Sequence, residues 1–122
     1  MATLVLHSVG IDVGTTTTQV IFSRLEVVNR AAVSQVPHYE FTKREILYES
    51  PVIFTPINFE GQIREDELLA FILEQYRVAG IAPETLESGA IIITGETSKA
   101  RNARPTIMNL SEKLGNFVVA TA

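Results

Sequence analysis

An α/β fold built on an open, mixed sheet flanked by helices is predicted by three features of this 122-residue chain. The apolar run Leu4 to Val9 leads directly into GIDVGTTTTQ at Gly10 to Gln19, a buried strand that opens into a polar turn. A second apolar run, AIII at Ala90 to Ile93, opens in the same way into Thr94, Gly95, Glu96 and Thr97. Helical periodicity follows in two places. Strands that alternate with helices imply right-handed crossovers and a sheet with a parallel portion.

Taken in order, Leu4 to Val13 is nearly continuous in apolar character and suits a central strand covered on both faces. Thr18 to Leu25 alternates Gln19, Ile21 and Ser23 with Val20, Phe22 and Arg24, so it is the hairpin partner. Ala31 to Val36 is a third, shorter strand ended by Pro37, which cannot donate to a ladder. Residues Pro37 to Gln62 then hold three of the five prolines and an extended piece at Pro51 to Pro56. They form a long excursion with one or two edge strands, not a linker.

Glu65 to Ala79 is the clearest helix, with Leu68, Leu69, Ile72, Leu73 and Tyr76 on one stripe. Glu65, Asp66 and Glu67 place negative charge at its dipole-positive end, and Gly80 stops it. Three consecutive helical carboxylates point around the axis, so they do not converge on one metal ion. Ala90 to Thr94 is the next buried strand. Asn102 to Leu114 is the second helix: Asn102 can cap, Pro105 fits the first turn, and Ile107, Met108, Leu110, Ser111 and Leu114 give the inward face before Gly115 closes it. Phe117 to Ala120 begins another strand.

Composition narrows the function. At 46% hydrophobic content the chain supports one compact core, and a net charge of −4 with a pI near 5.1 gives no broad attraction to nucleic acid or to an anionic membrane. The absence of cysteine excludes disulfides, thiolate zinc sites and thiol nucleophiles. His7 and His38 have no partner at a ligand spacing and read as structural histidines. No apolar run approaches the roughly 20 residues that span a bilayer, and no signal-peptide pattern opens the chain, which therefore reads as soluble and unsecreted.

The chemistry concentrates at the two turns. Gly14 lets backbone amides approach an anion, Thr15, Thr16 and Thr17 add hydroxyl donors, and Asp12 can hold a hydrated magnesium ion beside them. A nucleotide polyphosphate is the ligand that uses all of these. Asp-x-Gly is also ordinary turn chemistry, so a plain β hairpin is the alternative. Ligands of open α/β sheets bind beyond the carboxyl ends of the parallel strands, where both polar turns lie. Lys99, Arg101 and Arg104 cluster after Glu96, either as a phosphate or partner contact or as a solvated loop.

The strand ending in IDVGTTTT, the hairpin QVIFSR and the strand and helix order resemble the ribonuclease H-like first half of the actin-like ATPase domain, shared by actin, sugar kinases and heat-shock chaperones. More closely, SVGIDVGTTTTQVIFSRL, NRAAVSQVP, GIAPE, SGAIIITGE, RNARP and FVVATA resemble the N-terminal segment of the EutA family, the reactivating factors of ethanolamine ammonia-lyase. The likeness implies an ATP-dependent, chaperone-like factor that exchanges damaged cobalamin from an adenosylcobalamin enzyme. It implies ATP and Mg2+ as cofactors, ethanolamine ammonia-lyase as partner, and the cytoplasm, in association with a bacterial microcompartment, as location. Asp12 would order magnesium through water, Gly14, Thr15, Thr16 and Thr17 would meet the β and γ phosphates, and Thr94, Gly95 and Glu96 would flank them. Glu96 faces the nucleotide cleft or caps the following helix. No residue of this segment is expected to be catalytic in its own right.

In that superfamily ATP is closed between two similar domains, the second supplying another phosphate hairpin and an adenosine pocket. Neither occurs here, and FVVATA is an apolar strand that stops without a turn. Residues 1–122 are thus expected to form a single incomplete subdomain, a fragment whose open edge pairs with the remainder of its own domain or with itself. The complete protein would be a weak ATPase and the fragment alone inactive. A small-molecule kinase of the same fold, or a non-enzymatic partner-binding module, are the other readings.

Overall fold

A computed structural model describes residues 3–30, 39–114 and 118–121. The elements in chain order are β1 (Thr3–Val13), β2 (Thr17–Asn29), β3 (Tyr39–Glu49), β4 (Ile53–Phe54), α1 (Glu65–Ala79), β5 (Ser88–Ile93), α2 (Ala103–Leu114) and β6 (Val118–Thr121), with short 3-10 turns at Pro83–Thr85 and Gly95–Lys99. The sheet runs β3-β2-β1-β5-β6, and β4 adds to β2. β1 is antiparallel to β2 and parallel to β5, which is parallel to β6. This is the mixed sheet with a parallel portion that the sequence predicts.

Both crossovers advance across the sheet in one direction, β3 through α1 to β5 and β5 through α2 to β6, so right-handed connections place both helices on one face. The core lies there. Val9, Ile11 and Val13 of β1, Val20 and Phe22 of β2, and Ile91 and Ile93 of β5 pack against Leu68, Ile72 and Tyr76 of α1 and Ile107, Leu110 and Leu114 of α2. Each such side chain contributes roughly 1.5–3 kcal/mol on burial. The ring of Tyr76 meets that of Phe22 edge-on at 5.0 Å, and burial pushes its phenol well above the usual range.

Among the described residues β1 is covered on one face only, which corrects the expectation of a doubly covered strand. From Val9 onward its residues alternate buried and exposed, with Gly10 and Asp12 on the open side. The open face forms a shallow concavity of about 750 Å³ floored by Gly10, Ile21, Ala90 and Ile92, with Asp12 and Thr94 also lining it.

Ala31 to Val36 lies outside the described residues. The third described strand, β3, falls inside the long excursion and is its edge strand, with eleven residues of which all but Tyr48 are exposed. The piece at Pro51 to Pro56 supplies β4, whose Phe54 pairs with Thr17.

Helix α1 has the bounds the periodicity predicts, and Gly80 ends it at φ 71°. Its buried stripe is Leu68, Ile72, Gln75 and Tyr76, whereas Leu73 is 43% exposed. Gln75 is drawn inward because its Oε1 accepts a hydrogen bond from the Tyr48 hydroxyl at 2.7 Å. In α2 the inward residues are Ala103, Thr106, Ile107, Leu110, Ser111 and Leu114, and Met108 is turned out. Asn102 does not use its side chain as a cap. Its Oδ1 accepts from the Ile63 N–H at 2.9 Å and its Nδ2 donates to the Ile63 carbonyl at 2.8 Å, tying the end of the excursion to the start of α2. Gly115 and Phe117 lie outside the described residues. No described helix is long and apolar enough to cross a membrane.

Candidate functional site

The parallel register sets Asp12 against Ile92 and Val13 against Ile93, so the two polar turns leave the sheet side by side. The ladder continues one step further, with the Thr94 N–H donating to the Val13 carbonyl at 3.0 Å. The expected convergence of the two turns is therefore a consequence of strand pairing.

The first turn is a tight hairpin between β1 and β2, closed by the Gly14 N–H donating to the Thr17 carbonyl at 2.9 Å. The plain hairpin geometry and the polar site coexist in the same residues. A Cβ on Gly14 would stand 3.0 Å from the Thr17 oxygen and 3.6 Å from the Thr94 hydroxyl. Thr15, Thr16 and Thr17 are exposed, as is Asp12, while their neighbours Val13 and Thr18 are buried. Alternation along β1 accounts for this: the residue that packs in the core is Val13, so Asp12 must face the open side.

The second turn touches the first through Gly95. Its φ of 64° lies in the left-handed region, and a Cβ built there would fall 1.9 Å from Thr15 Oγ1. Only glycine lets the Thr15 hydroxyl approach. That hydroxyl oxygen accepts the Glu96 N–H at 2.9 Å. Glu96 lies within the 3-10 turn Gly95–Lys99, well before α2, so it does not cap that helix. Its carboxylate pairs instead with Lys99 Nζ at 3.3 Å in an exposed ion pair. Arg101 and Arg104 are exposed as well.

Two further elements hold the first turn. The Gly14 carbonyl accepts the Thr55 hydroxyl at 2.9 Å and the Thr97 hydroxyl at 3.1 Å. The Thr55 N–H donates to the Thr16 carbonyl at 2.8 Å, and Thr55 Oγ1 lies 2.8 Å from Thr18 Oγ1. Neither Thr55 nor the bonding role of Thr97 is predicted from sequence. A lone threonine between Phe54 and Pro56 has no local signal, because its partners are 37 and 41 residues away.

Elsewhere, His7 pairs with Glu87: its N–H donates to Glu87 Oε2 at 2.6 Å, and its imidazole lies 3.9 Å from the same oxygen. His38 is outside the described residues. Among the described residues no group of three or more His, Cys, Asp or Glu converges as a metal cage. The donor set suits a different arrangement. Magnesium keeps several waters and binds through one or two carboxylates together with phosphate oxygens, and one exposed carboxylate, Asp12, beside three exposed hydroxyls fits that chemistry.

Comparison with known proteins gives the family and the fold. The family described as "Ethanolamine utilisation protein EutA" matches residues 4–122. The chain is 68% identical over its whole length to the ethanolamine ammonia-lyase reactivase EutA of Escherichia coli (strain K12), and equally to that of Salmonella typhimurium. It spans 26% of the length of each of these relatives. Among solved structures, an Aquifex aeolicus PPX-GPPA enzyme superposes with a TM-score of 0.61 at 15% identity, covering 98% of this chain and 36% of that one. An exopolyphosphatase from Cytophaga hutchinsonii gives 0.52 at 16% identity, covering 94% of this chain and 33% of that one. At such identities the likeness establishes the fold alone, and it is the actin-like ATPase fold expected from the sequence.

Proposed function

This chain belongs to the ethanolamine utilisation protein EutA family, and on that premise we propose that it is the phosphate-binding segment of an ATP-dependent reactivating factor. The partner is ethanolamine ammonia-lyase, and the work is exchange of damaged cobalamin for intact cofactor, not turnover of ethanolamine. The observation that carries the proposal is the meeting of the two polar turns at the ends of β1 and β5, with Asp12 exposed beside them.

In this reading Asp12 holds hydrated Mg2+ through its exposed carboxylate. Gly14, Thr15, Thr16 and Thr17 direct amides and hydroxyls at the β and γ phosphates. Thr94, Gly95 and Glu96 form the adjoining wall and fix Thr15. Phosphoryl transfer depends mostly on positioning and charge neutralisation; the turn residues would supply the positioning, and the magnesium that Asp12 would hold would supply the neutralising charge. Adenosine is enclosed by the remainder of the protein, which pairs with the open edge of this sheet. The setting is cytoplasmic, at a bacterial microcompartment.

Asp12→Asn separates the roles. It keeps the shape and removes the charge, so magnesium-dependent hydrolysis by the complete protein should fall about tenfold or more while ATP binding falls less. Phosphate release equal to wild type at saturating magnesium would contradict the assignment of Asp12.

A further inference from the structure

We propose that Thr55 and Thr97 are positioning residues for anion binding: together they hold the Gly14 carbonyl inward and thereby set the outward direction of the Thr15 N–H. The inference rests on the phosphate-binding reading of the first turn. A buried threonine ordinarily satisfies its hydroxyl on some nearby carbonyl, and one such bond would mean little. Here two hydroxyls, from segments 41 and 83 residues away in sequence, converge on the same oxygen at 2.9 and 3.1 Å. Both threonines are buried, at 7% and 5% exposure. A carbonyl oxygen has two lone pairs, and these two bonds occupy both.

The protons can be assigned. The Thr55 hydroxyl proton is committed to the Gly14 carbonyl, so in the 2.8 Å contact with Thr18 it is Thr18 that donates and Thr55 that accepts. A relay results, from Thr18 to Thr55 to the Gly14 carbonyl, and bonds in such chains strengthen one another by polarisation. Thr55 takes a second carbonyl of the same turn through its own N–H, that of Thr16.

The consequence follows from peptide geometry. No cis peptide bond occurs among the described residues, and in a planar trans peptide the C=O and the following N–H point in opposite senses. With the Gly14 oxygen drawn toward two buried hydroxyls, the Thr15 N–H is turned to the other side, where Thr15, Thr16 and Thr17 are exposed. An amide locked in that direction before the ligand arrives pays no ordering cost when an anion binds. Thr55 belongs to the strap that carries β4, and Thr97 to the second turn. The amide direction thus depends on two elements that neither precede nor follow the turn directly.

The test uses the complete protein, with Mg·ATP as the probe in calorimetric titrations. Thr55→Val and Thr97→Val keep the β-branched shape and remove the hydroxyl. Each should weaken Mg·ATP binding about tenfold, and Thr55→Ser and Thr97→Ser should restore it. Selective 15N-threonine labelling gives a readout that a merely structural role would not move: in the wild type the Thr15 amide resonance should shift on adding Mg·ATP, and in the valine variants it should shift less. Wild-type affinity in both valine variants, or a Thr15 amide unmoved in wild-type protein that binds Mg·ATP, overturns the proposal. Should the valine variants fail to fold, Thr55→Ala and Thr97→Ala, which also remove the hydroxyl, carry the same comparison of affinity and Thr15 shift, and wild-type values in both would overturn the proposal. Absence of Mg·ATP binding by the wild type would remove the phosphate reading itself, and this proposal with it.

Discussion

Replacing Gly95 with alanine is expected to lower the Mg·ATP affinity of the complete protein about tenfold or more and its folding stability by roughly 1–3 kcal/mol. Two separate effects act at this residue. Its φ of 64° disfavours any side chain, and the added Cβ would lie 1.9 Å from Thr15 Oγ1 and 3.2 Å from Thr15 Cβ. Thr15 must rotate or the two turns must separate. Either way the bond from the Glu96 N–H to the Thr15 hydroxyl is lost, and with it the join between the two halves of the site. Gly80→Ala is the control. Gly80 has a similar φ of 71° but nothing within 4 Å of a built Cβ, so its replacement carries the backbone strain without the collision. Calorimetry and urea denaturation on both variants separate the effects. Loss of affinity in Gly95→Ala but not in Gly80→Ala is the expected result, and wild-type affinity in Gly95→Ala would contradict it.

Phe22→Ala should be the most damaging core substitution, at about 3–5 kcal/mol, a large share of the roughly 5–15 kcal/mol by which domains are stable. Phe22 is fully buried in β2, opposite Val9 of β1, and its ring meets Tyr76 of α1 at 5.0 Å and Tyr48 of β3 at 6.2 Å. It is where sheet, helix and edge strand join. Truncation leaves a cavity against three elements that cannot all close in at once. Urea denaturation reads the loss directly, and a change below about 1 kcal/mol would show that the cavity collapses instead.

What was legible in the sequence was legible where burial follows a period. Helix α1 declares itself because Leu68, Ile72 and Tyr76 repeat at helical spacing, and Gly80 marks its end by the backbone conformation it adopts. β1 and β5 declare themselves as apolar runs, although such a run does not reveal that one face stays open: Ile92 is 40% exposed and still reads as core. β3 is poorly legible for the opposite reason. Lys43, Arg44 and Glu45 interrupt any alternation, and a strand with almost no buried face is held by backbone pairing that side chains do not encode. The inward faces of the helices depend on neighbours as well as on period. Gln75 is inside because Tyr48 meets it, and Met108 is outside because it lies about 100° round the helix from Ile107, off the buried stripe that Ala103, Thr106 and Ser111 share.

The site divides along the same line. Asp12, Gly14, Thr15, Thr16 and Thr17 fall within six consecutive residues at the end of a buried strand, so their grouping is visible in the letters. That Thr94, Gly95 and Glu96 join them follows from the expectation of parallel strands. The hydroxyls of Thr55 and Thr97 reach Gly14 only through tertiary structure, and sequence spacing holds no trace of them.

Calorimetric titration of Mg·ATP into the complete protein, wild type beside Gly14→Val, tests the phosphate site most directly. A Cβ on Gly14 already stands 3.0 Å from the Thr17 carbonyl and 3.6 Å from the Thr94 hydroxyl, so the branches of valine must fill space beside the turn or push it open. Weakening of about tenfold with the far-UV spectrum unchanged is the predicted result. Equal affinity in the two proteins would mean that the phosphates bind elsewhere.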